Sequence, residues 1–149
     1  MNATYQLAQL NVAQMKGPLE SPVMQEFVDN LVPINSLAES SPGFVWRLQD
    51  EDGDATGIRP FGDDLLVNLS VWSDIASLRG FVFDSLHKTF LVRRNEWFDR
   101  MDGVSTVLWW VPFGHIPSVE EAADKLAQQR DQGATQDAFG FRQPFPPPS

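Results

Sequence analysis

The chain has 149 residues, a net charge of −9 and no cysteine. Without cysteine there are no disulfides, thiolate metal sites or cysteine nucleophiles. Nucleic acid is a poor partner for so acidic a chain, because phosphate binding depends on clustered Lys and Arg, and only Arg93-Arg94 form a basic doublet.

The first residues, Met1 to Gln6, have neither the basic start nor the apolar stretch of a signal peptide. No apolar run approaches the ~20 residues of a membrane helix. A cytoplasmic protein with no membrane partner is expected. With 42% hydrophobic residues, 11 Phe and 5 Trp, the chain can bury a substantial core.

Tyr5–Val12 reads as a first strand, ended by Lys16-Gly17-Pro18. Ser21-Pro22 opens a helix, with a hydroxyl cap followed by proline at the first helical position. Its apolar face carries Val23, Phe27 and Leu31, with Met24 and Val28 beside them. Pro33 ends or kinks it, and a short continuation holds Ile34 and Leu37. Ser41-Pro42-Gly43 then breaks the chain before a strand over Phe44–Gln49.

Asp64–Trp72 is the clearest alternation. Leu65, Val67, Leu69 and Val71 face one way, while Leu66, Asn68, Ser70 and Trp72 face the other. That pattern predicts helices on the apolar side and a cavity on the mixed side. Ser73 is the expected cap of the next helix, with Ile75, Leu78, Val82 and Leu86 inward. A fourth strand covers Val104–Val111. Ser118 and Glu121 form a capping box for a helix that buries Val119, Ala122, Ala123 and Leu126 and stops near Gly133.

Ala138–Arg142 is a short last strand, so residues 1–143 form one domain, followed by a Pro-rich tail over 144–149. The order β-α-β-β-α-β-α-β predicts an α+β, ferredoxin-like antiparallel sheet with helices on one face. The other face needs cover, and pairing with a second copy about a two-fold axis supplies it, so a homodimer is expected.

Pro42-Gly43-Phe44-Val45-Trp46-Arg47-Leu48, and Val71-Trp72-Ser73 opening a helix that leads to His87, resemble the dimeric α+β barrel superfamily. More closely, the stretches His87–Phe98, Leu108-Trp-Trp-Val-Pro-Phe-Gly-His115 and Phe141–Phe145 resemble an uncharacterised family, domain of unknown function 3291. The match covers almost the whole chain, and its Trp-Trp-Val-Pro-x-Gly-His string is the specific part. It implies a dimeric barrel and no assigned activity. More distant relatives include antibiotic-biosynthesis monooxygenases, which oxidise aromatic polyketides without metal or flavin, and haem-degrading monooxygenases in which a helix histidine ligates iron. The resemblance thus implies no cofactor, with haem on His87 as the alternative. Isomerases, dehydratases and proteins without known chemistry share the superfamily, and fold alone does not choose among them.

His87 shares a helical spacing with Phe83, Phe90, Arg94 and Trp97. On a continuous helix its imidazole lies among aromatic rings, as a base, a donor or an iron ligand, or else as a buried brace bonded to a carbonyl. His115 belongs to a strand-to-helix loop, at a barrel mouth or bracing the turn. Trp109 and Trp110 are adjacent on a strand and point to opposite faces. Trp46, Trp72, Trp97 and Trp110 are candidate walls for a planar ligand, with Asn68 and Ser70 as polar handles. Arg47 orients an anionic ligand group or pairs with an acid on the facing strand. Arg93-Arg94 read as surface ion-pair partners of Glu96 and Asp99.

Asp50–Asp54 has acids at alternate positions, but Ala55 stands where a calcium loop needs glycine and Phe61 where it needs glutamate, so it reads as a solvated hairpin loop. No metal site is expected. The combined expectation is a homodimer that binds an apolar aromatic molecule. It is either a cofactor-independent monooxygenase-like or acid–base enzyme, with His87 catalytic and Trp46, Arg47, Asn68, Ser70, Trp72, Trp97, Trp110 and His115 around the ligand, or a non-catalytic binding or structural protein.

Overall fold

A strand that is apolar on both sides must be covered twice, and β1 (Tyr5–Met15) is such a strand, with Leu7, Ala8, Leu10 and Val12 all buried. In this computed structural model, which describes residues 4–49, 56–83, 92–99 and 104–148, it lies in the middle of a curled, 5-stranded antiparallel sheet. β2 (Phe44–Arg47) pairs with β3 (Leu65–Trp72), which pairs with one edge of β1 from Leu7↔Trp72 to Gln14↔Leu65. The other edge of β1 takes β5 (Thr106–Pro112) from Tyr5↔Pro112 to Asn11↔Thr106, and the short β4 (Phe98–Asp99) beside Gln14 and Met15. The fold is ferredoxin-like, as the element order predicts.

Between the strands run a 3-10 turn (Pro22–Met24), α1 (Gln25–Asp29), α2 (Leu31–Ser40), α3 (Ile75–Val82), a helix whose described part covers 92–97 (α4), and α5 (Val119–Gln132). α1 to α4 cover one face. There Ala38 of α2 and Leu78 of α3 pack on Leu7, Trp72 and Leu108, while Met24 and Trp97 close over Met15 and Leu66. On the opposite face Ala122 and Leu126 of α5 pack on Ala8, Leu10, Val12, Val67, Leu69, Val71, Val107 and Trp109.

This corrects the sided reading of β3. The four helices lie over its mixed face, and the uniformly apolar face is covered by α5. Alternation shows which residues share a face, but not which face a helix takes. Helices of the same chain thus cover the mixed face for which a second copy was expected.

Local signals account for most boundaries. Asp74, one residue later than expected, caps α3: its Oδ1 accepts the Ser77 N–H at 2.8 Å. The Ser73 N–H is already committed to the Gly43 carbonyl at 2.7 Å. Gly43 has φ +81°, and a Cβ there would stand 2.1 Å from Ser77 Oγ, so this turn needs glycine. The break between the first helices falls at Asn30, which leaves Pro33 in the first turn of α2, where a missing N–H is harmless.

At the start of α1, Met24 is buried and Val23 exposed, the reverse of the expected weighting. α3 ends at Val82, with Phe83 outside helical geometry and exposed, so Phe83 and Trp97 do not share one continuous helix. In place of a last strand, the described residues show two isolated bridges, Leu108↔Phe139 and Thr135↔Ala138. The tail then docks: Phe145 packs 5.7 Å from Phe139, and its carbonyl accepts the Trp110 indole N–H at 2.9 Å.

Leu126→Ala leaves a cavity under α5 and should lower stability by about 2–5 kcal/mol. Ser118→Ala removes only the cap and should cost about 1 kcal/mol. Urea unfolding of the two variants checks this order.

Candidate binding site

The register arranges the helix-covered face in rows, because directly opposed residues of antiparallel strands project to the same side. Phe44, Trp72, Leu7 and Trp110 form an apolar row. Arg47, Ser70, Gln9 and Leu108 form the next, followed by Asn68, Asn11 and Thr106. A polar strip therefore crosses the sheet between an aromatic cluster around Trp72 and a second cluster around Leu66 and Trp97.

The strip is tightly bonded. Gln9 and Ser70 are buried, at 7% and 5% exposure, so their polar atoms need partners. Gln9 Nε2 donates to Ser70 Oγ at 2.8 Å and to Asn68 Oδ1 at 2.5 Å. The Trp72 indole N–H also donates to Ser70 Oγ, at 2.9 Å. Asn11 Nδ2 donates to Thr106 Oγ1 at 2.7 Å.

Asn68 differs from its neighbours. It is exposed, whereas Leu66, Ser70 and Trp72 on the same side of β3 are buried. β2 ends at Arg47, and the Leu48 N–H to Leu69 carbonyl bond is the last link beside it. The strip thus opens to solvent at Asn68. Gln9 holds the Asn68 Oδ1, which turns the Asn68 NH2 group away from Gln9 with no acceptor among the described residues.

Of the expected site residues, Arg47, Asn68, Ser70, Trp72 and Trp110 share this face. Trp72 is fully buried, edge-on to Phe44 at 5.4 Å and stacked on Phe81 at 5.2 Å, so its ring faces are filled by the chain itself. Trp97 lies in the neighbouring cluster, 6.0 Å from Phe27 and 5.0 Å beneath the Arg93 guanidinium. Arg93 also pairs with Glu96 and Glu26, and holds the Glu96 carboxyl below the usual carboxylate range. Asp99, expected with that group, pairs instead with Lys16.

Trp46 and His115 are not brought to the strip. Trp46 is in register with Val71 and packs with the core on the α5 face. His115 Nε2 lies 2.6 Å from Glu121 Oε1, and Glu121 Oε2 accepts the Trp109 indole N–H at 2.9 Å. Glu121 therefore fastens the loop to the sheet, and does not reach back to complete the capping box. The other half of that box stands: Ser118 Oγ accepts the Glu121 N–H at 3.0 Å. Arg47 meets Glu39 of α2, and not an acid on a facing strand.

His87 and Phe90 lie outside the described residues, as does the acidic loop over 50–54. Among the described residues no three His, Cys, Asp or Glu side chains converge to hold a metal ion. A groove of about 430 Å³ between α5 and Phe61, on the other face, contains none of the expected residues.

Sequence reasoning missed Gln9, Asn11 and Glu39, and gave Glu121 only a capping role. The first two were visible as amides at alternate positions of one strand, hence on one side of it. Glu39 and Glu121 have meaning only through tertiary contacts.

Residues 6–149 match a family described as a domain of unknown function, DUF3291. The chain belongs to that family. Among curated proteins no match was found. Solved structures give similar folds. One is SnoaB, a cofactor-independent oxygenase from Streptomyces nogalater, at 16% identity and a TM-score of 0.45, covering 78% of this chain and 98% of that one. PA3566 from Pseudomonas aeruginosa has 11% identity and a TM-score of 0.48, over 74% and 94% of the chains. A dabb family protein with a ferredoxin-like fold from Mesorhizobium loti has 14% identity and a TM-score of 0.43, over 75% and 99%. Within the described residues, no helix of this DUF3291 member is long and apolar enough to cross a membrane.

Ser70→Ala removes the acceptor shared by Gln9 and Trp72 and strands a buried indole N–H, which should destabilise by about 1–3 kcal/mol. Trp72→Phe removes that donor. A double-mutant cycle measured by denaturant unfolding should therefore show coupling above ~0.5 kcal/mol, whereas additive effects would contradict the assigned bond.

Proposed function

We propose that the protein binds an apolar aromatic small molecule over the Asn68–Ser70 strip and acts on it as a cofactor-independent, monooxygenase-like enzyme. The observation that carries this reading is the exposure of Asn68 at the open end of a polar strip that is otherwise buried and flanked by aromatic clusters. Such a surface gives a planar molecule apolar walls and a few fixed polar atoms, the usual composition of a small-molecule site.

Oxygenation without a cofactor requires a substrate that supplies its own electrons. An electron-rich aromatic ketone with an acidic CH2 group meets that need. Loss of a proton gives an enolate that reduces O2 directly, and the balance is CH2 + O2 → C=O + H2O, with one oxygen atom left on carbon and the other in water. A donor held toward the enolate oxygen lowers the barrier to proton loss, because it needs no reorganisation when the charge appears. Asn68 is suited to that role, since Gln9 holds its carbonyl oxygen and frees its NH2. His87 is the proposed base. The resemblance to dimeric barrels supports a homodimer as the working assembly.

An oxygen electrode tests this with an anthrone as probe. Wild-type protein should accelerate O2 uptake at one O2 per anthrone, and Asn68→Ala should slow it by about 10²-fold. An unchanged rate in that variant, or no acceleration by the wild type, refutes the reading.

A further inference from the structure

We infer that Arg47 and Ser70 form an anion-binding pair within this strip, and that the aromatic ligand carries a carboxylate. The inference rests on the aromatic-ligand reading above and adds the ligand's charge. Arg47 is in register with Ser70 across the β2–β3 ladder, so both side chains leave the sheet on the same side. The Arg47 side chain is only 13% exposed. Its Nε is buried and makes no hydrogen bond, and its ion-pair contact is Glu39 Oε2 at 3.3 Å.

A guanidinium so far removed from water needs closer compensation than one carboxylate that is itself 46% exposed. Ser70 has a matching vacancy. Its oxygen accepts from Gln9 and from Trp72, which leaves its own O–H proton without an acceptor among the described residues. Two donors without a hydrogen bond, one of them charged and facing Glu39 only as an ion pair, thus stand on paired positions of adjacent strands. Gln9 and Trp72 supply further N–H dipoles that polarise the same hydroxyl.

The chemistry that satisfies both donors is a planar anionic group with more than one acceptor atom. A carboxylate can accept from the guanidinium with one oxygen and from the hydroxyl with the other, in charge-assisted bonds. A phenol fits less well, because with a pKa near ~10 it is uncharged at neutral pH. Glu39 faces Arg47 Nε, without a hydrogen bond, as an internal competitor that an incoming carboxylate displaces.

Isothermal titration calorimetry with 2-naphthoate and its uncharged isostere 2-naphthamide tests this. Wild-type protein should bind 2-naphthoate at least ~10-fold more tightly, the gain expected of one charge-assisted bond. Arg47→Met should abolish that preference. Glu39→Gln removes the competitor and leaves Arg47 in place, so it should strengthen 2-naphthoate binding severalfold and leave 2-naphthamide unchanged.

A structural role for the Arg47–Glu39 pair predicts the opposite for Glu39→Gln: lower stability and no gain in affinity. Equal binding of both probes by wild type and by Glu39→Gln overturns the anion site and leaves the aromatic-ligand reading standing. Binding of neither probe overturns both.

Discussion

The buried amide of Gln9 is the constraint around which the helix-covered face is built. It sits on the central strand with sheet neighbours on both edges and helices above, where an unsatisfied amide would cost about 1–3 kcal/mol. Its NH2 group is satisfied within the sheet, because β3 presents Ser70 and Asn68 at the matching register positions. A one-residue slip of β3 against β1 would replace those partners with Leu69 and Val71 and would turn Trp72 onto the α5 face. The same bonds that satisfy Gln9 thus pin the register on which the core packing depends.

That requirement also sets the properties of the candidate site. Ser70 is an acceptor twice over, which orients its hydroxyl proton away from Gln9 and Trp72. Asn68 is held by its oxygen, which leaves its NH2 at the open end of the strip. Neither residue is reactive alone. What distinguishes them is that their remaining hydrogen-bonding capacity is directed, and directed groups stabilise a developing charge far better than mobile ones. The apolar clusters on either side have the complementary part: they exclude water and strengthen every polar contact between them.

The fold was readable in the sequence wherever periodicity decides it. The alternation of β3 and the stripe of Ala122 and Leu126 gave strand and helix without ambiguity, and Trp109 and Trp110 take opposite faces because neighbours on a strand must. The sides of the sheet were not readable. Leu65, Val67, Leu69 and Val71 look like the natural seat for helices, yet α5 alone covers them, and the mixed side takes the other four.

Side-chain pairings across elements were likewise beyond reach. Glu121 obeys the capping spacing perfectly, but Trp109 and His115 offer it stronger partners than its own backbone. Asp74 takes the cap position in place of Ser73, whose backbone N–H is tied to the Gly43 carbonyl, a contact that spans 30 residues. Five of the nine expected site residues lie on one face, and Gln9, which organises them, was the residue the reading passed over.

The most direct test of the account is a 1H–15N titration with 2-naphthoate that follows the Asn68 side-chain amide and the indole N–H signals of Trp72 and Trp109. Trp109 lies across the sheet and serves as an internal reference. The account predicts saturable shifts of Asn68 and Trp72 with Trp109 unmoved. Shifts confined to Trp109, or none at all, would contradict a ligand site on the helix-covered face.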